Sequence, residues 1–299
     1  MAKQPAGPGG LVIVDKPGGM TSHDVVSRIR RLAHTRRVGH AGTLDPMATG
    51  VLVLGVEKAT RLLGHLTLTE KAYDATIRLG ESTITDDAEG EVVTSADASG
   101  ASLDAVRAQM SVLTGDIMQV PSAVSAIKID GQRSYARVRS GEDVSLPARP
   151  VTVFSFELLA SRVVGSCFDL DVSVRCSSGT YIRALARDLG AALGVGGHLT
   201  ALRRTAVGAF TLKQAVPLDD LLEAGENPVS VPLADAAAQT FVRRDLDAED
   251  AEHVLHGRFL TASGGAEPVA VFGPDGRFLA LVQDKGGKAR PVAVFAETV

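Results

Sequence analysis

The chain has 299 residues, 45% of them apolar, with no Trp and a net charge of −4. That length suits one large domain, or a large and a small one, around a sizeable core. No apolar run reaches the roughly 18 residues that cross a bilayer, and two cysteines, Cys167 and Cys176, are too few for a zinc site or a disulfide framework.

The charge is unevenly spread. Residues 1–80 carry eleven Lys/Arg against six Asp/Glu, and residues 175–213 carry six against one. Residues 81–116 and 216–252 are acidic. This pattern suits either one basic face for a polyanion or acidic surface loops. Residues 1–10 lack an apolar signal core and read as a loose Gly/Pro-rich tail, so a cytoplasmic location is the expectation.

Leu11 to Asp15 reads as a short strand, and Lys16-Pro17-Gly18-Gly19 as a turn. Thr21 or Ser22 then caps a helix with Val25, Val26, Ile29 and Leu32 on one side. Arg28, Arg30, Arg31, Arg36 and Arg37 crowd its end. The helix dipole favours cations there, but five in ten residues exceed what capping needs and suit phosphate contact.

Next comes Gly39-His40-Ala41-Gly42-Thr43-Leu44-Asp45-Pro46-Met47-Ala48-Thr49-Gly50, followed by the apolar run Val51 to Val56. Pro46 steers Asp45 toward an extended backbone, while Gly42 and Gly50 allow conformations other residues resist. The loop reads as built to hold Asp45 in one pose; a plain Asp-Pro turn has the same composition. Lys58 to Leu66 reads as a short helix and Lys71 to Leu79 as an alternating strand. The acidic stretch Glu81 to Glu91 reads as a loop, and Ser102 caps a helix through Leu113.

Pro121 to Tyr135 reads as a strand, an Asp-Gly turn and a helix start. Strands follow at Val151–Val164 and Phe168–Arg175. Cys176 to Arg183 leads into a helix with Ile182, Leu185, Leu189 and Leu193 as its stripe. The acidic, Pro-broken stretch from Pro217 to Ala236 reads as a domain boundary. Beyond Phe241 the pattern is a small β-rich module, with a hairpin between Val269–Phe272 and Phe278–Val282.

No Walker loop, dinucleotide fingerprint, nucleophile elbow or His-rich metal spacing appears. His253 and His256 lie three apart on a predicted helix without Cys or carboxylate company in any recognisable metal-ligand spacing, and read as a surface pair. A lone Asp in a rigid loop serves as nucleophile, general base or electrostatic stabiliser, and once buried it needs a counter-charge. Arg183 is a candidate. If the helix begins only after Arg183, Tyr181 and Arg183 face one side of an extended chain and point into one cleft. Otherwise Tyr181 is core and Arg183 surface.

The Gly39–Gly50 stretch resembles the signature of the TruB family of pseudouridine synthases. Four further blocks match in order: Val14 to Ser22, Lys71-Ala72-Tyr73, Ser178 to Arg183, and His198 to Thr205. Pro121–Tyr135 also resembles a family segment. The resemblance spans residues 11 to about 210. It implies a tRNA pseudouridine-55 synthase that isomerises one T-loop uridine. Its catalytic aspartate falls on Asp45, the arginine paired to it on Arg183, and substrate contacts on His40, Tyr73, Tyr181 and Leu202. It implies no cofactor, no metal, no obligate protein partner and a monomer acting on the T arm of tRNA. The implied fold is α+β, a mixed and mostly antiparallel sheet with flanking helices over residues 11–235. A small PUA-type β-domain for RNA binding would occupy 236–299.

Under that resemblance Tyr73 and Tyr181 become stacking faces for a flipped uracil, Leu202 an apolar wall, and His40 a prop for the vacated stack. The Arg28–Arg37 cluster, Arg203 and Arg204 become phosphate contacts. Val124 stands where the family often has an aromatic, and Ala41 where it often has a small polar residue. The competing functions are a non-catalytic tRNA-folding role, which needs the basic face and not Asp45, and a guide-RNA-dependent relative, which needs partner proteins.

Overall fold

The computed structural model describes residues 9–123, 128–129, 132–133 and 146–296. Strands are labelled in chain order: β1 Gly10–Lys16, β2 Val38–His40, β3 Thr49–Val56, β4 Lys71–Leu79, β5 Glu81–Thr83, β6 Val92–Ser95 and β7 Gly115–Gln119. They continue as β8 Lys128–Ile129, β9 Gln132–Arg133, β10 Arg149–Val164, β11 Cys167–Cys176, β12 Gly197–Val207, β13 Phe210–Thr211, β14 Val216–Pro217 and β15 Val231–Pro232. Among the described residues the main sheet has eleven strands along the path β14-β1-β3-β12-β4-β11-β10-β7, with β2, β13 and β15 attached at its sides. Most neighbours are antiparallel; β1–β14 and β3–β12 are parallel. The expected mixed, mostly antiparallel sheet with flanking helices is therefore what forms.

Both faces of its centre are covered, which explains the unbroken apolar runs in β1 and β3. Leu11, Ile13, Val51 and Val53 point into one cluster. Val12, Val14, Leu52 and Leu54 point into another, under Val25, Val26 and Ile29 of the helix Ser22–Leu32. Thr21 caps that helix: its hydroxyl accepts from Asp24 N at 3.1 Å, and the Asp24 carboxylate accepts from Thr21 N at 2.9 Å. Such a box contributes about 1 kcal/mol. A third cluster joins β4, β11 and β12 to the helices Leu103–Val112 and Ile182–Ala192.

The second sheet has five strands. They are β16 Val242–Asp245, β17 Leu260–Thr261, β18 Val269–Phe272, β19 Phe278–Lys285 and β20 Lys288–Val294, in the order β16-β18-β19-β20-β17. The hairpin read between Val269–Phe272 and Phe278–Val282 forms as β18 and β19. Phe272, Phe278 and Phe295 pack into the cluster that holds Leu11 and Ile13, so this sheet backs onto the first.

Three local expectations are corrected. The expected helix Lys58–Leu66 is a 3-10 segment, Glu57–Leu62, that hands over to a short α-helix, Leu63–Leu68. The acidic stretch Glu81–Glu91 begins with the short strand β5, which pairs with β6 beyond it; the rest is the expected loop, but its Asp87 is almost fully buried. Tyr181 caps the following helix and Arg183 already lies within it, so the extended-chain argument for their shared direction does not hold. Residues 1–8 of the expected tail, Val124, and the helix start expected after the Asp-Gly turn lie outside the described residues. Strands β8 and β9 pair antiparallel.

The parallel contact between β3 and β12 sets one strict requirement. Gly50 has φ +101°, and a Cβ there would lie 2.2 Å from the Arg204 carbonyl oxygen. Gly42 has φ +92°, but its nearest neighbour would be a flexible guanidinium nitrogen at 3.9 Å. Gly50→Ala is expected to lower unfolding stability by more than about 2 kcal/mol, since it adds a backbone clash to φ strain. Gly42→Ala should cost clearly less in the same urea titration. Equal losses in the two variants would show that the strand contact is not what requires Gly50.

Candidate active site

Asp45 sits on a loop pinned from several sides. Ser22, buried at the start of its helix, accepts from Leu44 N at 2.9 Å and donates to Leu44 O at 3.1 Å. The Pro46 carbonyl accepts from Gly19 N at 2.8 Å and from Lys16 Nζ at 3.2 Å. Lys16 is fully buried and also donates to the carbonyls of Pro17 and Met20 at 2.8 and 2.6 Å. Burial lowers its pKa from 10.5 to about 8, opposed by the nearby Asp45 carboxylate. The Lys16-Pro17-Gly18-Gly19 turn is thus the bracket that holds the Asp45 loop from below.

A second bracket comes from the sheet. Lys16 pairs with Gly50 across β1–β3, Gly50 with Arg204 across β3–β12, and Arg204 with Tyr73 across β12–β4. Cross-strand partners share a face, so one row places Lys16, Arg204 and Tyr73 side by side. Arg204 is 1% exposed; its guanidinium donates to Val51 O at 2.7 Å and to Thr43 O and Gly42 O at 3.3 Å. It is therefore a loop strut and not the phosphate contact expected from sequence. Arg203, one residue earlier on the opposite face, is committed to Asp15 at 2.6 and 3.0 Å. The two adjacent arginines differ because strand side chains alternate.

Asp45 itself is one-third exposed. Arg183 Nη2 donates to Asp45 Oδ1 at 3.2 Å, and Nε lies 3.0 Å from Oδ2. Arg183 is 4% exposed. Its Nη1 donates to Thr85 O at 2.8 Å and lies 3.4 Å from a carboxylate oxygen of Asp87. The buried guanidinium therefore stands between two carboxylates. Asp87 also accepts from Thr85 Oγ1 and from Glu89 N. Burial together with the charges of Asp87 and Asp45 raises the Glu89 pKa. Asp87, beside Arg183, and Lys16, beneath the loop, are neighbours of the pair that the sequence does not single out. The only signal for Asp87 is an acid in a turn, Thr85-Asp86-Asp87, which reads as solvated.

The other expected site residues fall around this pair. Tyr73 and Leu202 are 8% and 7% exposed, and share a cluster with Leu44 and Ala48 of the loop. Burial raises the Tyr73 phenol pKa, with Arg204 opposing, so the hydroxyl stays protonated. Tyr181 is half-buried at the head of the helix that carries Arg183. His40 closes β2 at the other end of the loop, its ring edge-on to His23 with centroids 5.5 Å apart. Burial lowers the His40 pKa, which keeps the ring neutral near pH 7. In the arginine cluster, Arg30 donates to Val38 O and Arg37 pairs with Glu57. Arg31 and Arg36 are exposed and meet no carboxylate among the described residues. His253 and His256 join no group of three or more metal-ligating side chains among the described residues.

The chain that carries this sheet and this carboxylate–arginine pair is similar over its length to pseudouridine synthases, isomerases that convert uridine to pseudouridine. Residues 30–182 match the profile of the TruB family pseudouridylate synthase N-terminal domain. Residues 183–229 match the tRNA pseudouridylate synthase B C-terminal domain, and 241–296 the tRNA pseudouridine synthase II C-terminal domain. The chain belongs to the TruB family. It is 60% identical over 302 residues to a tRNA pseudouridine synthase B of Streptomyces griseus, covering 99% of this chain and 100% of the relative. It is 59% identical over 287 residues to the protein of that name from Mycolicibacterium paratuberculosis, covering 96% and 97%. Among solved structures, a Cbf5-Nop10-Gar1 complex superposes with a TM-score of 0.73 at 27% identity, covering 96% of this chain and 85% of that one. An H/ACA RNP bound to a substrate RNA containing 2′-deoxyuridine gives 0.71 at 26%, with coverage of 96% and 85%.

Proposed function

We propose that the chain isomerises the uridine at position 55, in the T loop of tRNA, with Asp45 as the catalytic carboxylate. The observation that carries this reading is the Asp45–Arg183 pair: a carboxylate one-third open to solvent, held by a guanidinium that is itself buried. Relatives of near-full length are named for tRNA, which supports that substrate class. In the reaction the bond from ribose C1′ to uracil N1 breaks and a bond from C1′ to C5 forms. The C5 proton leaves and N1 gains one. Substrate and product have the same atoms, so no redox partner is consumed. Asp45 engages sugar or base in the cleavage step, and the walls around it retain the freed uracil.

A T-loop uridine lies in a folded stack, so the enzyme flips it out. The half-buried Tyr181 is its stacking platform, a contact worth about 1–3 kcal/mol. Tyr73 and Leu202 form the floor, and neutral His40 props the gap left behind. Arg31 and Arg36 take backbone phosphates. Residues 11–235 act as the catalytic domain and 236–299 as a PUA-like RNA-binding domain of a cytoplasmic monomer. The test is to incubate the purified chain with an unmodified tRNA transcript and map pseudouridine by carbodiimide-dependent primer-extension stops. One stop is expected, at the nucleotide 3′ to position 55, and none in a transcript carrying cytidine at 55. A stop elsewhere, or activity only with added proteins or a guide RNA, would overturn the assignment.

A further inference from the structure

The helix that carries Arg183 begins without a cap of its own. Tyr181 is its N-cap residue, in extended conformation at φ −102°, ψ 110°, and its side chain makes no capping hydrogen bond. A tyrosine cannot do what Ser, Thr, Asp or Asn does there. The missing anchor comes from 62 residues away. Gln119 ends β7, the edge strand of the main sheet. Its side chain is 1% exposed. Its Oε1 accepts from Tyr181 N at 2.8 Å, and its Nε2 donates to Tyr181 O at 3.1 Å. One side-chain amide thus makes the paired bonds that a neighbouring strand would make.

The next residue adds a second tie. Val120 O accepts from Arg187 Nη2 at 2.7 Å, while Arg187 Nη1 donates to Asp86 at 3.3 Å. Residues 119 and 120 therefore hold the helix at 181 and at 187, on either side of Arg183. No part of this arrangement is needed to form the sheet, whose β7–β10 ladder already pairs Gln119 with Arg149 through the backbone. What it fixes is where the helix begins, and so where the Tyr181 ring and the Arg183 guanidinium stand relative to Asp45.

We propose that Gln119 is a positioning residue for the isomerisation, locking the Tyr181 peptide so that Tyr181 and Arg183 are presented together to Asp45. It touches neither Asp45 nor substrate. The inference rests on the reading of Asp45 and Arg183 as the catalytic pair. Because misplacing a reacting group by about 1 Å costs on the order of 10²-fold, a slip of the helix start is felt in the chemical step.

The test uses the full chain and unmodified tRNA transcript under single-turnover conditions. Gln119→Leu, which removes both bonds at similar size, is expected to slow the bound-state rate about 10- to 100-fold with tRNA Kd unchanged. In an Arg183→Lys background the same change should add little, since the residue it positions is already compromised; independent structural damage would add fully. Gln119→Glu keeps the acceptor and loses the donor at neutral pH. Its rate relative to wild type should be intermediate and should rise as pH falls, because a protonated carboxyl donates to Tyr181 O as the amide does. This second variant decides the matter if Gln119→Leu does not fold. An unchanged rate, a full loss in the Arg183→Lys background, or a loss of tRNA affinity with unchanged turnover would overturn the proposal. If Asp45→Asn retains activity, the catalytic reading itself falls, whatever Gln119 does.

Discussion

Asp45→Asn is expected to reduce tritium release from tRNA carrying [5-³H]uridine by at least about 10³-fold, because the group that engages sugar or base is gone. The variant should fold. Asparagine keeps the oxygen that accepts from Arg183 Nη2, and Arg183 keeps Asp87 and the Thr85 carbonyl. The brackets from Lys16, Ser22 and Arg204 act on the loop backbone and do not involve the carboxylate. Affinity for tRNA should therefore be kept while chemistry is lost. The same variant separates a tRNA-folding role from catalysis: rescue of misfolded tRNA by Asp45→Asn would show that binding alone does that work. Tritium release at the wild-type rate would remove Asp45 from the mechanism.

Arg183→Met is the second large effect, expected to lower single-turnover release by about 10²–10³-fold, the range for deleting one preorganised electrostatic partner. It should also destabilise the fold. Asp87 is almost fully buried and would lose its cation, and an uncompensated buried charge costs about 3 kcal/mol or more. Arg183→Lys keeps one charge but cannot bridge Asp45, Asp87 and the Thr85 carbonyl at once. Its stability should lie nearer wild type and its rate between the two. Urea unfolding and single-turnover release measured on both variants check this. If either variant bound tRNA more weakly while turning over bound tRNA normally, Arg183 would be a binding residue and its pairing with Asp45 incidental.

The helix Ser22–Leu32 and the Val269–Val282 hairpin are legible in the sequence because caps, turns and periodicity are set by near neighbours. Asp45 is legible as an ordered acid for the same reason, since Pro46 restricts the backbone locally and Gly42 and Gly50 permit the turns around it. The partnership with Arg183 is reached from sequence by a partly wrong route. The residues alone make it conditional on a helix that begins after Arg183, and the resemblance supplies the pairing; the helix in fact starts at Ile182, yet its second residue still meets Asp45. Arg204 is misassigned because composition cannot tell a buried guanidinium bonded to three carbonyls from an exposed one.

The Asp45 loop, the capped helices Ser22–Leu32 and Leu103–Val112 and the strand β4 follow from sequence alone, since glycine and proline torsions, caps and side-chain periodicity act within a few residues. Which side chains meet is settled only when the sheet closes. Register across β1, β3, β12 and β4 lines up Lys16, Arg204 and Tyr73, and separates Arg203 from Arg204. A shift of one residue in any of those ladders would send one strand's group to the other face and break the row. Asp87 and Gln119 are likewise defined by what they touch. The turn that holds Asp87 reaches Arg183 through Thr85, 98 residues away in the chain, and Gln119 reaches Tyr181 across 62. Pairings over such distances are set by the closure of the whole sheet, which no local rule encodes.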